Sequence, residues 1–307
     1  VVVESYKVGH LDKLGAGYSA LREINPRVIL VSITPFGQMG PYKDFVSSDL
    51  VTQALGGHLI TGGDSDREPM AFPDNQAAFI TGRNSALATM AAVLHQRQTQ
   101  EGQHVDISEV EAFAQVWHAN RYTFTGEISG RGSGGGQGNV MDSMHLQAQD
   151  GYVTLTTAGT SGADSMDAWA DFFEEPLLKD PKWKSARVRR ESWHELKDLV
   201  EGKLKQMKKY DFFQKAMEKR LVVGVVQSPE DIVNCPHLEF RGSLVQLNHP
   251  VVGELKYSGP GFLANNENTA AAGKAAPRLG EDNQEIFVNT LGLTTDQLGS
   301  LHTSGVI

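Results

Sequence analysis

The sequence predicts an α/β protein in which a parallel-sheet domain precedes a smaller α/β domain, and three observations carry this. First, two β-rich runs, residues 1–4 and 28–33, flank a helical stretch at 11–24, the strand–helix–strand order that builds parallel sheets. Second, residues 102–112, GQHVDISEVEA, read as a third strand running straight into a helix. Third, the composition breaks at 126–139, GEISGRGSGGGQGN, and a new strand, GYVTLTT, follows at 151–157 with helical patterns behind it.

Taken in order, residues 1–4 (VVVE) read as the end of a buried parallel strand entered in mid-fold, so earlier strands are expected from a preceding segment or another chain. Pro26 separates the first helix from the second strand. Residues 34–41, rich in Gly and Pro, form a loop at that strand's carboxyl end, where open α/β sheets bind ligands. A long helix is expected over 74–98, with Ala78, Leu87, Ala91 and Leu94 packing on the sheet. In the third strand Val105 and Ile107 alternate with polar neighbours; Ser108 then suits an N-cap, and Val110, Phe113, Ala114 and Trp117 recur at helical spacing. Beyond the Gly-rich loop, helices are expected over 163–174, 193–207 and 211–219. A last helix at 283–291 carries Ile286, Phe287 and Leu291.

Glu111 falls in the first turn of the helix that Ser108 opens, where free N–H groups and the helix dipole favour an ionised carboxylate. Two readings stand side by side. The carboxylate is a nucleophile, or it closes a capping box by reaching back to the Ser108 N–H.

The formal net charge of −9 and pI near 5.6 argue against a nucleic-acid surface, and Lys203, Lys205, Lys208 and Lys209 read as a solvated helix face. The single cysteine, Cys235, rules out an internal disulfide and fits a reducing compartment. No apolar run approaches the roughly 18 residues a membrane span needs, and no signal-peptide pattern opens the chain. A nicotinamide-type dinucleotide site would need GxGxxG between strand and helix, and the GSGGGQGN run has neither neighbour.

Several blocks, in order, resemble the family III CoA-transferases: VVVESYKVGHLDKLGAGYSAL, NPRVILVSITPFGQMGPY, SSDLVTQALGG, HQRQTQEGQHVDISEVEA, HPVVGELKYSGPGF, and AAPRLGEDNQEI with LGL and GVI. The resemblance covers residues 1–128 and again 221–307. It implies a Rossmann-like large domain at 1–128, a Gly-rich loop at 129–145, a small α/β domain at 146–248, and a C-terminal segment, 249–307, that returns to the large domain. It implies transfer of CoA from an acyl-CoA to a carboxylic acid acceptor, with coenzyme A as substrate and no metal. The family's nucleophilic aspartate matches Glu111, one methylene longer, at a position where a misplacement of about 1 Å costs roughly a hundredfold in rate.

The same resemblance matches Gly134, Gly135 and Gly136 to a glycine-rich loop over the thioester. It matches Ser5, Tyr6, Lys7, Lys13 and Leu14 to the stretch beside CoA, and Ser48 and Asp49 to the cleft lining. It further implies an interlocked homodimer, or a heterodimer with a related chain, in the cytoplasm (or, in a eukaryote, the mitochondrial matrix or peroxisome). Two other readings remain. A catalytically silent paralogue or partner subunit would keep Glu111 only as a cap, and an acyl-CoA racemase of the same fold would need a histidine where Ser48 stands.

Overall fold

The computed structural model describes residues 1–63, 67–115, 122–123, 126, 145–155, 165–265, 267 and 274–307. It divides into two compact units, Val1–Val226 and Gln227–Ile307.

In the first unit, β1 (Val2–Glu4), β2 (Leu30–Thr34) and β3 (His104–Ser108) form a parallel sheet in the order β1-β2-β3. Glu4 pairs with Ser32, Ser32 with Asp106, and Thr34 with Ser108. Because side chains alternate across a strand, this register puts Glu4, Ser32, Thr34, His104, Asp106 and Ser108 on one face. The opposite face carries Val31, Ile33, Val105 and Ile107, packed with Ile29, Ala92 and Val93. One side of the sheet is therefore core and the other is polar. Within this chain β1 lies at the edge of the sheet, and Val3 is 61% exposed.

The helix expected over 11–24 is two helices, α1 (His10–Lys13) and α2 (Tyr18–Ile24). Gly15, at φ +70, supplies the left-handed conformation that breaks it. Next come α3 (Asp49–Leu55) and α4 (Gln76–Thr99). The face that α4 buries is the reverse of the expected one. Leu87 and Leu94 are 73% and 59% exposed, Ala78 and Ala91 are exposed too, and the buried positions are Ala77, Thr81, Ser85 and Ala92. Small residues win because the sheet already presents Val and Ile. The hydroxyls of Thr81, Ser85 and Thr89 each donate to the carbonyl four residues back, at 2.7, 2.8 and 2.6 Å, so burying them leaves no donor unpaired.

β3 runs without a break into α5 (Glu109–Ala114), which packs on α3 at Gly56. A Cβ there would lie 2.8 Å from Phe113 Cδ1, so only glycine allows the two helices this close.

A second, antiparallel sheet follows: β4 (His145–Ala148), β5 (Gly151–Leu155) and β6 (Val223–Val225), in the order β4-β5-β6. Its helices include α6 (Ser165–Phe173), α7 (Ala186–Glu191), α8 (Trp193–Leu204) and α9 (Lys209–Glu218). Their apolar stripes bury Trp169, Trp183, Leu196, Leu204 and Phe212 with Leu146 and Leu155 of the sheet. Phe173 stacks on Trp169 at 5.6 Å and on Phe212 at 6.2 Å. Glu201 of α8 ties helix to sheet by accepting the Gln147 N–H at 3.0 Å, with Lys205 at 3.3 Å and Lys197 at 3.6 Å.

The second unit holds α10 (Pro229–Val233), α11 (Pro236–Phe240), the hairpin β7 (Leu244–His249) and β8 (Gly253–Ser258), a π-helical stretch Gln284–Thr290, and α12 (Thr295–Thr303). Among the described residues no helix is long and apolar enough to cross a membrane.

Candidate active site

Glu111 lies in the first turn of α5, and its position is set by Ser108. The Ser108 hydroxyl accepts the Glu111 N–H at 3.3 Å and itself donates to the Pro35 carbonyl at 3.4 Å, while the Val110 N–H donates to the same carbonyl at 3.1 Å. The helix start is thus fastened to the loop that follows β2. The Glu111 side chain is exposed and, among the described residues, makes no hydrogen bond or ion pair. It faces a cleft of about 300 Å³ walled by Asn84, Ala88 and Ala91 of α4 and by Asp106 and Gln115.

A larger cavity, about 550 Å³, opens at the carboxyl ends of β1 and β2. Ser5, Tyr6, Lys7 and Lys13, expected together from sequence, all line it. Leu14 does not, and is 66% exposed. Thr34, the first residue of the segment that the sequence marked as a ligand-binding end, lines it as well, and so do His10 and Lys43, which sequence reasoning had not singled out. The Lys43 ammonium pairs with its neighbour Asp44 at 2.8 Å; among the described residues Lys7 and Lys13 have no such partner. In a chain with a net charge of −9, this concentration of cations makes an electropositive cavity suited to phosphate or carboxylate. Glu111 is not in its lining. The two hollows meet at one wall, where Pro35 of the cavity bonds Ser108 of the cleft.

Ser48 and Asp49 are engaged in scaffolding. Ser48 caps α3 by accepting the Val51 N–H at 3.5 Å. One Asp49 oxygen accepts the Ala77 N–H at 2.8 Å, opening α4, and the other accepts from Gln53 at 2.5 Å. Asp106 likewise receives the Gln38 N–H on both oxygens at 3.0 Å, pinning the loop after β2. Its place as a polar residue inside a strand was the only sequence signal for that role. Glu109 accepts from the buried Thr52 hydroxyl at 3.3 Å and so joins α5 to α3. Trp117, Gly134, Gly135 and Gly136 lie outside the described residues.

The geometry is that of an unpaired carboxylate just beyond a parallel strand, beside a lysine-lined cavity. The family model described as CoA-transferase family III matches residues 1–283. The chain belongs to this family. Among its relatives, the succinyl-CoA–D-citramalate CoA-transferase of Chloroflexus aurantiacus is 30% identical, over 100% of this chain and 76% of that one. The succinyl-CoA:(R)-benzylsuccinate CoA-transferase subunit BbsE of Thauera aromatica is 30% identical over 94% of this chain and 72% of its own. A formyl-CoA:oxalate CoA-transferase of Streptomyces coelicolor is 26% identical over 100% and 78%. The crystal structure of a CAIB/BAIF family protein from Brucella suis superposes with a TM-score of 0.78 at 26% identity, covering 94% of this chain and 74% of that one. Among the described residues, this family III CoA-transferase has no group of acidic, His or Cys side chains arranged to hold a metal.

Proposed function

We propose that the chain moves coenzyme A from an acyl-CoA thioester to a carboxylic acid, with Glu111 as nucleophile. In this reading a Glu111 oxygen attacks the thioester carbonyl and the C–S bond breaks, giving a mixed anhydride and CoA thiolate. The thiolate attacks the Glu111 carbonyl, releasing the first acid and leaving CoA on Glu111. The acceptor carboxylate attacks that thioester and forms a second anhydride. The thiolate then attacks the acceptor's carbonyl, giving the new acyl-CoA and freeing Glu111. Lys7 and Lys13, with Ser5 and Tyr6, hold the CoA end in the basic cavity, and Ser48 and Asp49 keep its neighbouring helices in place. Gly134, Gly135 and Gly136 provide the lid and N–H donors for the developing oxyanion. Oxalate, succinate and citramalate in the relatives' names support a small dicarboxylic acid as the acid class.

The observation that supports this reading best is the unpaired Glu111 carboxylate in the first turn of α5, just beyond β3, in a chain that belongs to this family. A homodimer or a heterodimer with a related chain, in a reducing compartment, completes the proposal; the single free cysteine supports the compartment.

The test is Glu111→Gln against parent, with hydroxylamine trapping and mass spectrometry of the 104–115 peptide. Loss of CoA exchange and of the adduct is expected. A second reading has its own support, since one relative is named as a subunit. A silent partner would show equal rates in mutant and parent, with catalysis residing in the other chain. Entry of solvent deuterium at the substrate α-carbon without any acceptor would instead favour racemisation.

A further inference from the structure

Asn84 is a half-buried residue in the middle of α4, in the cleft wall that it shares with Ala88 and Ala91. Asparagine is a poor helix former beside alanine, because its amide competes for backbone groups, so it needs a compensating contact there. The hydroxyls of Thr81, Ser85 and Thr89 on the same helix find theirs in carbonyls four residues back. The Asn84 amide does not, and among the described residues it makes no hydrogen bond. It lines the cleft of about 300 Å³ that also holds Glu111, whose carboxylate is likewise unengaged. The cleft's other acidic and hydroxyl groups are committed, Asp106 to the Gln38 N–H and Ser108 to the Pro35 carbonyl and the Glu111 N–H. Among the described residues no Lys, Arg or His lines this cleft, so its free donors are neutral amides, Asn84 on α4 and Gln115 one turn beyond Glu111.

Neutral donors suit a charge that appears only in passing. A lysine beside Glu111 would stabilise its resting carboxylate and blunt its attack, whereas an amide leaves the resting group reactive and still favours an oxyanion. Such an oxyanion forms on Glu111 itself. In the mixed anhydride, CoA thiolate attacks the Glu111 Cδ and the carbonyl electron pair moves onto oxygen. The pair returns as the C–O bond to the acyl group breaks, and the first acid leaves as its carboxylate. We propose that Asn84 is a catalytic residue whose side-chain amide donates to that Glu111 oxygen while it carries the charge. The assignment rests on the CoA-transferase reading with Glu111 as nucleophile.

The test compares the full chain with Asn84→Ala, which suits the helix and its alanine wall, and Asn84→Leu, which keeps the side-chain shape without the donor. The probes are succinyl-CoA as donor and isotopically labelled succinate as acceptor. Thermal midpoints, kcat and KM for succinyl-CoA are measured, and rapid quenching with mass spectrometry times the arrival of CoA on the 104–115 peptide. Midpoints stay at or above the parent's. In both variants kcat falls about a hundredfold with KM within about threefold, and CoA reaches the peptide more slowly by the same factor. With the parent labelled on that peptide, a kcat within about threefold of the parent's in either variant overturns the proposal and leaves Glu111 its role. So does a loss confined to KM, or one that accompanies a lowered midpoint in both variants. A parent that never acquires CoA on the peptide removes the Glu111 reading, and this proposal with it.

Discussion

The Ser108 hydroxyl accepts the Glu111 N–H at 3.3 Å, and the Glu111 carboxylate does not return the bond. In this chain the reciprocal capping box forms at Ser228–Asp231 and at Thr294–Gln297, where both halves are made. At Ser108 only the half that positions the helix is present. The side chain that would complete the box lines the cleft instead.

Ser108→Ala removes that cap and the bond to Pro35 together. Stability falls by about 1 kcal/mol, the usual cost of losing an N-cap. Exchange activity falls further than the stability loss explains, because the helix start then shifts against the Pro35 loop. Paired thermal melts and CoA-exchange rates check this.

Replacing both Lys7 and Lys13 by Met weakens the KM for acyl-CoA roughly tenfold, two exposed charge contacts at no more than about 1 kcal/mol each. The salt dependence of KM flattens in the same variant, since screening acts only on charges that remain. A titration of KM against ionic strength in parent and variant reads both effects.

The face that α4 buries is tested by two substitutions. Leu87→Gln, on the exposed side, changes unfolding free energy by less than about 0.5 kcal/mol. Ala92→Leu, against the sheet, costs about 1–3 kcal/mol through overpacking. Urea melts followed by circular dichroism separate them.

Glu201 predicts an acid limit. Burial pushes its carboxyl up, but the Gln147 N–H together with Lys205 and Lys197 outweighs this and holds it below the ordinary value of 4.5. A depressed folded value means the stabilisation is complete above pH 4.5 and is lost as pH falls through the lower folded value. Glu201→Ala therefore lowers stability at pH 7 by about 1–3 kcal/mol, the cost of losing a part-buried hydrogen bond to a charged acceptor, and the gap narrows below pH 4.5. Melts of both proteins across that range test the sign.

Local chemistry was legible in the sequence. The alternation through Val105 and Ile107 and the cap at Ser108 place β3 and α5, because strand period and capping depend on neighbours in the chain. Gly15 and Gly17 stood in plain view within the helix they interrupt. The inward face of α4 was not legible, since hydroxyls that satisfy themselves on the preceding turn let Thr81 and Ser85 pack like small apolar residues. Thr34 and Lys43 could not be grouped with Lys7 and Lys13 either. Their shared cavity exists only once β1 and β2 pair and the following loop is pinned by Asp106 from a strand far along the chain.

Among the described residues, three buried apolar side chains, Ile29, Val31 and Ala92, stand behind the sheet that leads to Glu111, whereas the antiparallel sheet rests on sixteen. The proposed nucleophile is therefore mounted on the softer foundation. Under native conditions, amide protons of Val31 and Ile107 should trade with solvent well before those of Leu146 and Val153, because sub-global opening tracks the apolar contact each region would forfeit. On the proposed role of Glu111, such breathing gives the strand that leads to it room to adjust around a bulky thioester without loosening the rest of the chain.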